Sequence, residues 1–297
     1  MSHFTGRVVF ITGGASGIGR ALAFKLAARK AILVLADVDI EGLKSACEAI
    51  SDQGGQARWV ELDVADPDQV QSAIDNIYEC EGPIDFLFNN AGICLFGEAY
   101  DMTPDQWKRI LDVNIRGVVH GISTVYPRMV ERGSGHIINT ASMVGLVPAA
   151  GSAAYCLTKH AVVGVSTSLR GEGAAHGVRV TVVCPGIIDT PLKNTAQMLR
   201  LDRQKMLAHP LTRLASVEHC ADVILRGVER NRAFVTVTAA ARISWWLYRL
   251  FPGFVASRLG HWAIEIVRKN FATKAPSQLA LAAPPESSKI EGESHGS

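Results

Sequence analysis

Tyr155 and Lys159 stand four positions apart in the otherwise apolar run AAYCLTKHAVVG, residues 153–164. A spacing of i to i+4 stacks two side chains on one face of a helix. A phenol with a pKa of about 10 is a poor proton acceptor near neutrality, and bringing it down by ~3 units takes roughly 4 kcal/mol of preference for the phenolate. An ammonium about 4 Å away supplies about that much at an effective dielectric near 20. The pair is therefore suited to general acid–base work. Taken singly, a tyrosine packed at a subunit interface and a surface lysine are the blander alternatives, so the reading depends on the elements around the pair.

Those elements alternate. RVVFIT, ILVLAD, ARWVELD, IDFLFNN, GHIINTAS and VRVTVVCPG are strand-like runs, with helical segments such as GRALAFKLAARKA and IEGLKSACEAISDQ between them. Apolar strands separated by helices of this length indicate a parallel sheet covered on both faces. The expected architecture is α/β, one doubly wound parallel sheet over residues 1–240. An amphipathic aromatic and basic helical extension follows at 241–273, broken at Pro252-Gly253. From 274 to 297 the chain turns polar, small and proline-bearing, and a disordered tail is expected.

Between the first strand and the first helix lies TGGASGIG, Thr12 to Gly19. Glycines 13, 17 and 19 permit a tight turn and let a pyrophosphate approach the helix N-terminus, where free N–H groups and the helix dipole favour an anion. Asp37 ends the second strand, 18 residues beyond Gly19. A carboxylate there can accept hydrogen bonds from a ribose diol and repels a 2′-phosphate. Asp39 is better placed to cap the next helix, and Ala15 and Ser16 supply no cation, so NAD is favoured over NADP.

Composition narrows the rest. The net charge of the 297 residues is +2, so no global field favours nucleic acid. The six cysteines show no C-x-x-C pair, and most sit in apolar runs, as reduced buried thiols would. After MSHFTGR the chain enters VVFITGG without a secretory signal, and a cytoplasmic location is expected. His209, His219 and His261 stand alone, without metal-ligand spacing, and no G-x-S-x-G elbow of a hydrolase is present.

Together these residues resemble the short-chain dehydrogenase/reductase family. The matching motifs run in order: TGGASGIG, NNAG (89–92), VN ending at Asn114, Ser142, YCLTK (155–159), and PG (Pro185, Gly186) followed by Thr190. The resemblance covers roughly residues 5 to 240 and implies a Rossmann-type fold, NAD(P)-dependent alcohol/ketone interconversion, and a homodimer or homotetramer. It assigns Gly13, Ser16, Gly17, Ile18, Gly19 and Asp37 to the cofactor. Asp63 and Val64 flank the adenine, Asn90, Ala91 and Gly92 line the cofactor, and Pro185, Gly186, Ile188 and Thr190 lie toward the carboxamide. Tyr155 and Lys159 serve both cofactor and catalysis, Ser142 holds the substrate oxygen and Tyr155, and Asn114 holds a water that relays the proton from Lys159. A non-catalytic dinucleotide sensor of the same fold is the rival, but it is expected to lose Tyr155, Lys159 or Ser142, and all three are present.

Specificity is expected from the loops around Leu95, Phe96, Met143, Leu146 and Val147, and from Leu192, Met198 and Leu199 in the segment 190–214. An apolar wall suits a lipophilic alcohol or ketone, such as a steroid, retinoid or long-chain compound. In 243–271, Trp245, Trp246, Tyr248, Leu250, Phe251 and Phe254 lie close in sequence to Arg242, Arg249 and Arg258. That composition fits either a peripheral membrane contact or packing against the cleft or a partner subunit, with slightly more weight on packing.

Overall fold

The computed structural model describes residues 3–208 and 214–273; the expected disordered tail, His209 and part of the 190–214 segment lie outside them. Among the described residues the strands are β1 Val8–Thr12, β2 Ile32–Asp37, β3 Gln56–Glu61, β4 Phe86–Asn89, β5 Leu95–Phe96, β6 Gly135–Thr140, β7 Val178–Cys184, β8 Gln197–Met198 and β9 Phe234–Thr236. The helices are α1 Gly17–Ala27, α2 Ile40–Asp52, α3 Pro67–Cys80, α4 Pro104–Leu111, α5 Gly117–Arg132, α6 Ala153–Ala174, α7 Leu192–Thr195, α8 Arg203–Ala208, α9 Val217–Glu229, α10 Ala239–Leu250 and α11 Gly260–Phe271. A π-helical turn, Asp112–Arg116, joins α4 to α5.

Seven strands form one sheet in the order β3-β2-β1-β4-β6-β7-β9, with every ladder parallel. All five positions of β1 are buried, and each leucine, isoleucine or phenylalanine withdrawn from water contributes ~1.5–3 kcal/mol. One core layer packs α1, α2 and α9 against the sheet through side chains such as Leu22, Leu43 and Ile224. The other packs α3, α5 and α6 through Ile74, Val125 and Val162. The chain runs outward from β1 to β3 and then crosses back to β4. That reversal opens a crevice at the carboxyl ends of β1 and β4, where ligands of such sheets bind.

The C-terminal extension differs in detail from the sequence expectation. It begins at Ala239, where the Thr238 side chain accepts from the Ala241 amide. Its first helix stops at Leu250, and Pro252 starts the next helical turns instead of breaking them. Proline is well placed there, because a first-turn residue has no intrahelical acceptor for an N–H. No helix among the described residues is long and apolar enough to cross a membrane.

His136 on β6 is a buried polar residue with one satisfied nitrogen. Thr181 donates its hydroxyl to the Arg232 carbonyl, so it accepts from Nε2–H of His136 at 2.9 Å. Nδ1 has no partner among the described residues. Burial, with Arg179, His3 and Arg170 adding positive charge, pushes the imidazole down to about 3. Below the ordinary value the unfolded chain takes up a proton that the folded chain refuses, so stability falls as pH drops from 6.5 to about 3. Urea melts should show a loss of roughly 2 kcal/mol between pH 6.5 and pH 5 from this group. H136Q should flatten the slope by that amount, and equal slopes in the two proteins would show that His136 is protonated in the fold.

Candidate active site

The glycine loop is built by close approaches. Gly13 sits at φ +71, and a β-carbon there would stand 2.9 Å from Ala91 Cα. Gly19 is tighter still, since a β-carbon would overlap the Gly13 carbonyl oxygen. Thr190 leans on Gly17 from the opposite side, 3.3 Å from where its β-carbon would be. Ser16 precedes α1 in extended conformation, and its side chain makes no capping bond. The amides of that first turn are therefore left for an anion. Ile18 packs on the core beneath the loop.

Asp39 caps α2, accepting from the Gly42 amide at 3.0 Å. Asp37 is thus spared that task, and its carboxylate accepts from the Ala15 amide at 3.1 Å and the Asp39 amide at 3.2 Å. It holds the glycine loop against the end of β2, with the exposed, uncharged Val38 next to it. Asp63 accepts from the Ala65 amide and pairs with Arg109 at 3.2 Å. Val64 is only 7 % exposed and fills the space beside Gly117, so only its main chain can serve a purine.

Asn90 proves to be a clamp. Its Nδ2 donates to the carbonyls of Thr12 and Gly13, and its Oδ1 accepts from Thr140. One side chain ties the glycine loop to β1 and β6. Ala91 N–H donates to Thr12 Oγ1. Gly92 lets Asn114 and Lys159 come close, since a β-carbon would lie 3.2 Å from Asn114 Oδ1 and 3.4 Å from Lys159 Nζ. Asn114, fully buried in the π-helical turn, accepts from the Ile93 amide and donates to the Ile93 carbonyl and Thr158 Oγ1. Both amide hydrogens are committed, so its first effect is to fix the loop at Ile93, between β4 and β5, to α6.

α6 carries Tyr155 and Lys159 on one face, as the spacing predicts. The Tyr155 hydroxyl meets the hydroxyl of Ser142, which follows β6, and also the thiol of Cys94. Lys159 Nζ donates to the Thr140 carbonyl at 2.9 Å and lies 5.7 Å from the centre of the tyrosine ring. Burial dominates the electrostatics. It pushes the phenol well above its ordinary value, Cys94 adds to that, and Ser142 works the other way. It also pushes the lysine down to about 8. The charge-driven lowering of the phenol expected from the sequence is opposed here by burial. The ammonium alone would lower the phenol, but desolvation is here the larger effect.

Cys94 is the site residue that sequence reasoning missed. It was visible only as one buried thiol among several, and burial does raise it to about 11. Nothing in its spacing showed that it would face Tyr155. The six cysteines are all free, and Cys80 is exposed. Among the described residues no group of three His, Cys, Asp or Glu could hold a metal.

Beyond β7, the Pro185 carbonyl accepts from the Met143 amide at 2.7 Å, which ties the Ser142 turn to this loop. Gly186 passes against Thr238. Ile188 is buried in the core and bridges to Ala215, so its main chain is what it can offer a ligand. The expected wall divides. β5 and β8 pair in parallel and bring Leu95, Phe96 and Met198 together. Phe96 lies 6.2 Å from the Tyr155 ring, and Leu199 packs in the same small cluster. Leu146 and Val147 instead join the main core, which corrects their placement in the wall. Met143 sits in the turn capped by Ser142, and Leu192 opens α7; both are half-buried.

The chain matches the sequence profile of the family described as short chain dehydrogenase over residues 7–199. Oxidoreductase UcpA of Escherichia coli K12 is 39 % identical over 193 residues, 65 % of this chain and 73 % of that protein. Among solved structures, a short chain dehydrogenase/reductase from Burkholderia phymatum in complex with NAD superposes with a TM-score of 0.75 at 28 % identity, covering 93 % of this chain and 100 % of the other. A short-chain dehydrogenase from Sphingobium yanoikuyae in complex with NADPH gives 0.72 at 27 % identity, covering 84 % and 96 %.

Proposed function

The chain is an oxidoreductase of the short-chain dehydrogenase/reductase family, and from that membership we propose that it interconverts a lipophilic secondary alcohol and its ketone with NAD. The observation that carries this reading is the meeting of the Ser142 and Tyr155 hydroxyls, with Lys159 on the same helix face as the phenol. The loop fits a dinucleotide because Gly13 and Gly19 leave no room for side chains and the α1 N-terminus is uncapped. When bound, the nicotinamide supplies the hydride chemistry and, in its oxidised form, positive charge.

The chain's own residues move the proton. Held high by burial, Tyr155 keeps its proton at neutral pH and stands as donor to a carbonyl oxygen. In the reverse direction the alcohol's hydroxyl proton passes to the Tyr155 oxygen, which needs the phenolate. Lys159, down to about 8, is charged over most of the neutral range and favours that phenolate. Ser142 holds the same oxygen, Thr140 fixes the lysine through its carbonyl, and Asn114 fixes the neighbouring loop at Ile93.

Asp37 supports NAD over NADP. Its carboxylate stands at the end of β2, and its neighbour Val38 offers a 2′-phosphate no cation. Leu95 and Leu199 in the Tyr155 cluster, and Phe96 at 6.2 Å from its ring with Met198 paired to it, support a lipophilic substrate. The test is NADH and NADPH formation across secondary alcohols of rising hydrophobicity. Preference for NAD should be at least about tenfold, ~1.4 kcal/mol. D37N keeps an acceptor for the Ala15 amide but removes the charge, and should erase most of that preference. Equal efficiency of the wild type with NADP, or no turnover of any alcohol or ketone in the series, would sink the reading.

A further inference from the structure

The exposed apolar side chains are unevenly distributed. On α10, Ile243, Trp246, Leu247 and Leu250 are each 47–64 % exposed, and their spacing of i, i+3, i+4 and i+7 makes one stripe. Phe251 and Phe254 continue it at the bend, and Leu259 and Trp262 lie beyond, all 40–60 % exposed. The opposite side of the segment is held down. Ala241 is buried, and Trp245 packs on Phe234 of β9 at 4.9 Å. Farther along, Ile264 comes within 3.6 Å of a β-carbon built on Gly151, and Arg268 grips Glu98 with two bonds of 2.9 and 2.6 Å. Backbone bonds from Asp202 to Phe271 and from Thr273 to Arg200 stitch the end of α11 to the β8 loop. The packing role expected for the segment is thus filled by one face, and the other face still points outward.

We propose that this outward face is a docking surface for a lipid bilayer with anionic headgroups. Charge decides between lipid and protein. No aspartate or glutamate occurs between Glu229 and Glu265, while Arg242, Arg249 and Arg258 are exposed in that interval and none is ion-paired among the described residues. On a helical wheel Arg242 and Arg249 share one flank of the stripe, and Arg249 lies over Trp245 and Trp246 at 5.5 and 5.9 Å. Rings at headgroup depth with cations beside them are what an interfacial helix requires. A second copy seated on the same patch by a twofold axis would set these arginines against their own equivalents with no acid to answer them. The end of the same segment also forms part of the rim of a cavity, where Val267 and Arg268 stand with Gly97, Gly151 and Leu199, and Leu199 packs in the cluster that holds Tyr155. A bilayer-dissolved alcohol or ketone would reach the protein at that rim. This consequence rests on the proposed substrate class; the docking itself does not.

The experiment is co-sedimentation of the full chain with phosphatidylcholine vesicles, with and without one-third phosphatidylglycerol. The anionic vesicles should carry the protein down, at least about tenfold more strongly than the neutral ones, and salt should release it. R242Q/R249Q/R258Q should weaken anionic binding about a hundredfold, since each cation near such a surface contributes roughly a factor of five. W246Q/L250Q/F254Q should abolish it, with the thermal midpoint unchanged because these side chains touch solvent. Three results would overturn the proposal: no binding by the intact chain, equal binding to both vesicles, or a dimer that W246Q/L250Q/F254Q dissociates, which would assign the stripe to a second copy. Sedimentation needs no turnover, so its failure leaves the oxidoreductase reading standing, and an inactive enzyme that sediments leaves the docking standing.

Discussion

Replacing Tyr155 with phenylalanine is expected to cut kcat about a thousandfold and leave the dissociation constant for NADH within about twofold, since positioned acid–base groups contribute 10²–10⁴. The ring stays in its cluster with Leu95, Ala154 and Leu199, so the cleft keeps its shape. What disappears is the oxygen that meets Ser142 and Cys94 and, in the proposed reaction, takes or gives the substrate proton. Losing a buried hydroxyl that faces other polar groups also leaves those groups short of a partner, a cost of about 1–3 kcal/mol in stability at most. Steady-state turnover with the best alcohol, paired with NADH titration by calorimetry, separates the two effects. Residual kcat above about a tenth of wild type would remove Tyr155 from the proton path.

Gly19→Ala has the opposite character. Alanine in a helix is ordinarily favoured by about 1 kcal/mol over glycine, so propensity alone predicts a more stable protein. The new β-carbon, however, overlaps the Gly13 carbonyl oxygen and lies 2.8 Å from Asn90 Nδ2, the donor that holds that carbonyl. Overpacking of this kind costs roughly 1–3 kcal/mol, and the loop can relieve it only by shifting off the crevice. The steric effect should win: NADH affinity should fall by about a hundredfold, ~2.7 kcal/mol, and the melting temperature should drop by several degrees. Calorimetric titration reads the first and a thermal scan the second. Affinity within about threefold of wild type would show that the loop is not what grips the dinucleotide.

The sheet and the glycine loop were legible because they rest on local rules. ILVLAD reads as a buried strand from composition alone, and it is β2 residue for residue. The roles of Asp37 and Asp39 were separable because a cap three residues before an amide has a fixed geometry. β9 was not legible: it is three residues long and owes its existence to pairing with β7, where Phe234 lies beside Val182 across a long stretch of intervening chain. Cys94 opposite Tyr155 was hidden for a similar reason, since the contact joins a loop to a helix far along the chain. The phenol's environment was hidden because the sequence supplies charges but not burial, and burial sets the sign here. Asn90 and Asn114 are legible through the family's motifs, but their bonds are not: Asn90 donates to two main-chain carbonyls, and Asn114 to the Ile93 carbonyl and Thr158 Oγ1.

The cavity beside the Tyr155 cluster is rimmed by four separate stretches: residues 97–101, Gly151, the β8 loop and the end of α11. Its fastenings differ in burial: Arg268 pairs with Glu98 near the surface, whereas Arg200 reaches Asp101 at 3.0 Å, a carboxylate only 7 % exposed. An exposed pair such as Arg268 with Glu98 contributes only about 0–1 kcal/mol, whereas Asn90 is tied to β1 and β6, and Lys159 to the Thr140 carbonyl. Glu98 and Arg268 are therefore positions where exchange costs little, whereas Asp101 and the Asn90 clamp are not. Variation among related chains is expected to settle first on the outer edge of that cavity.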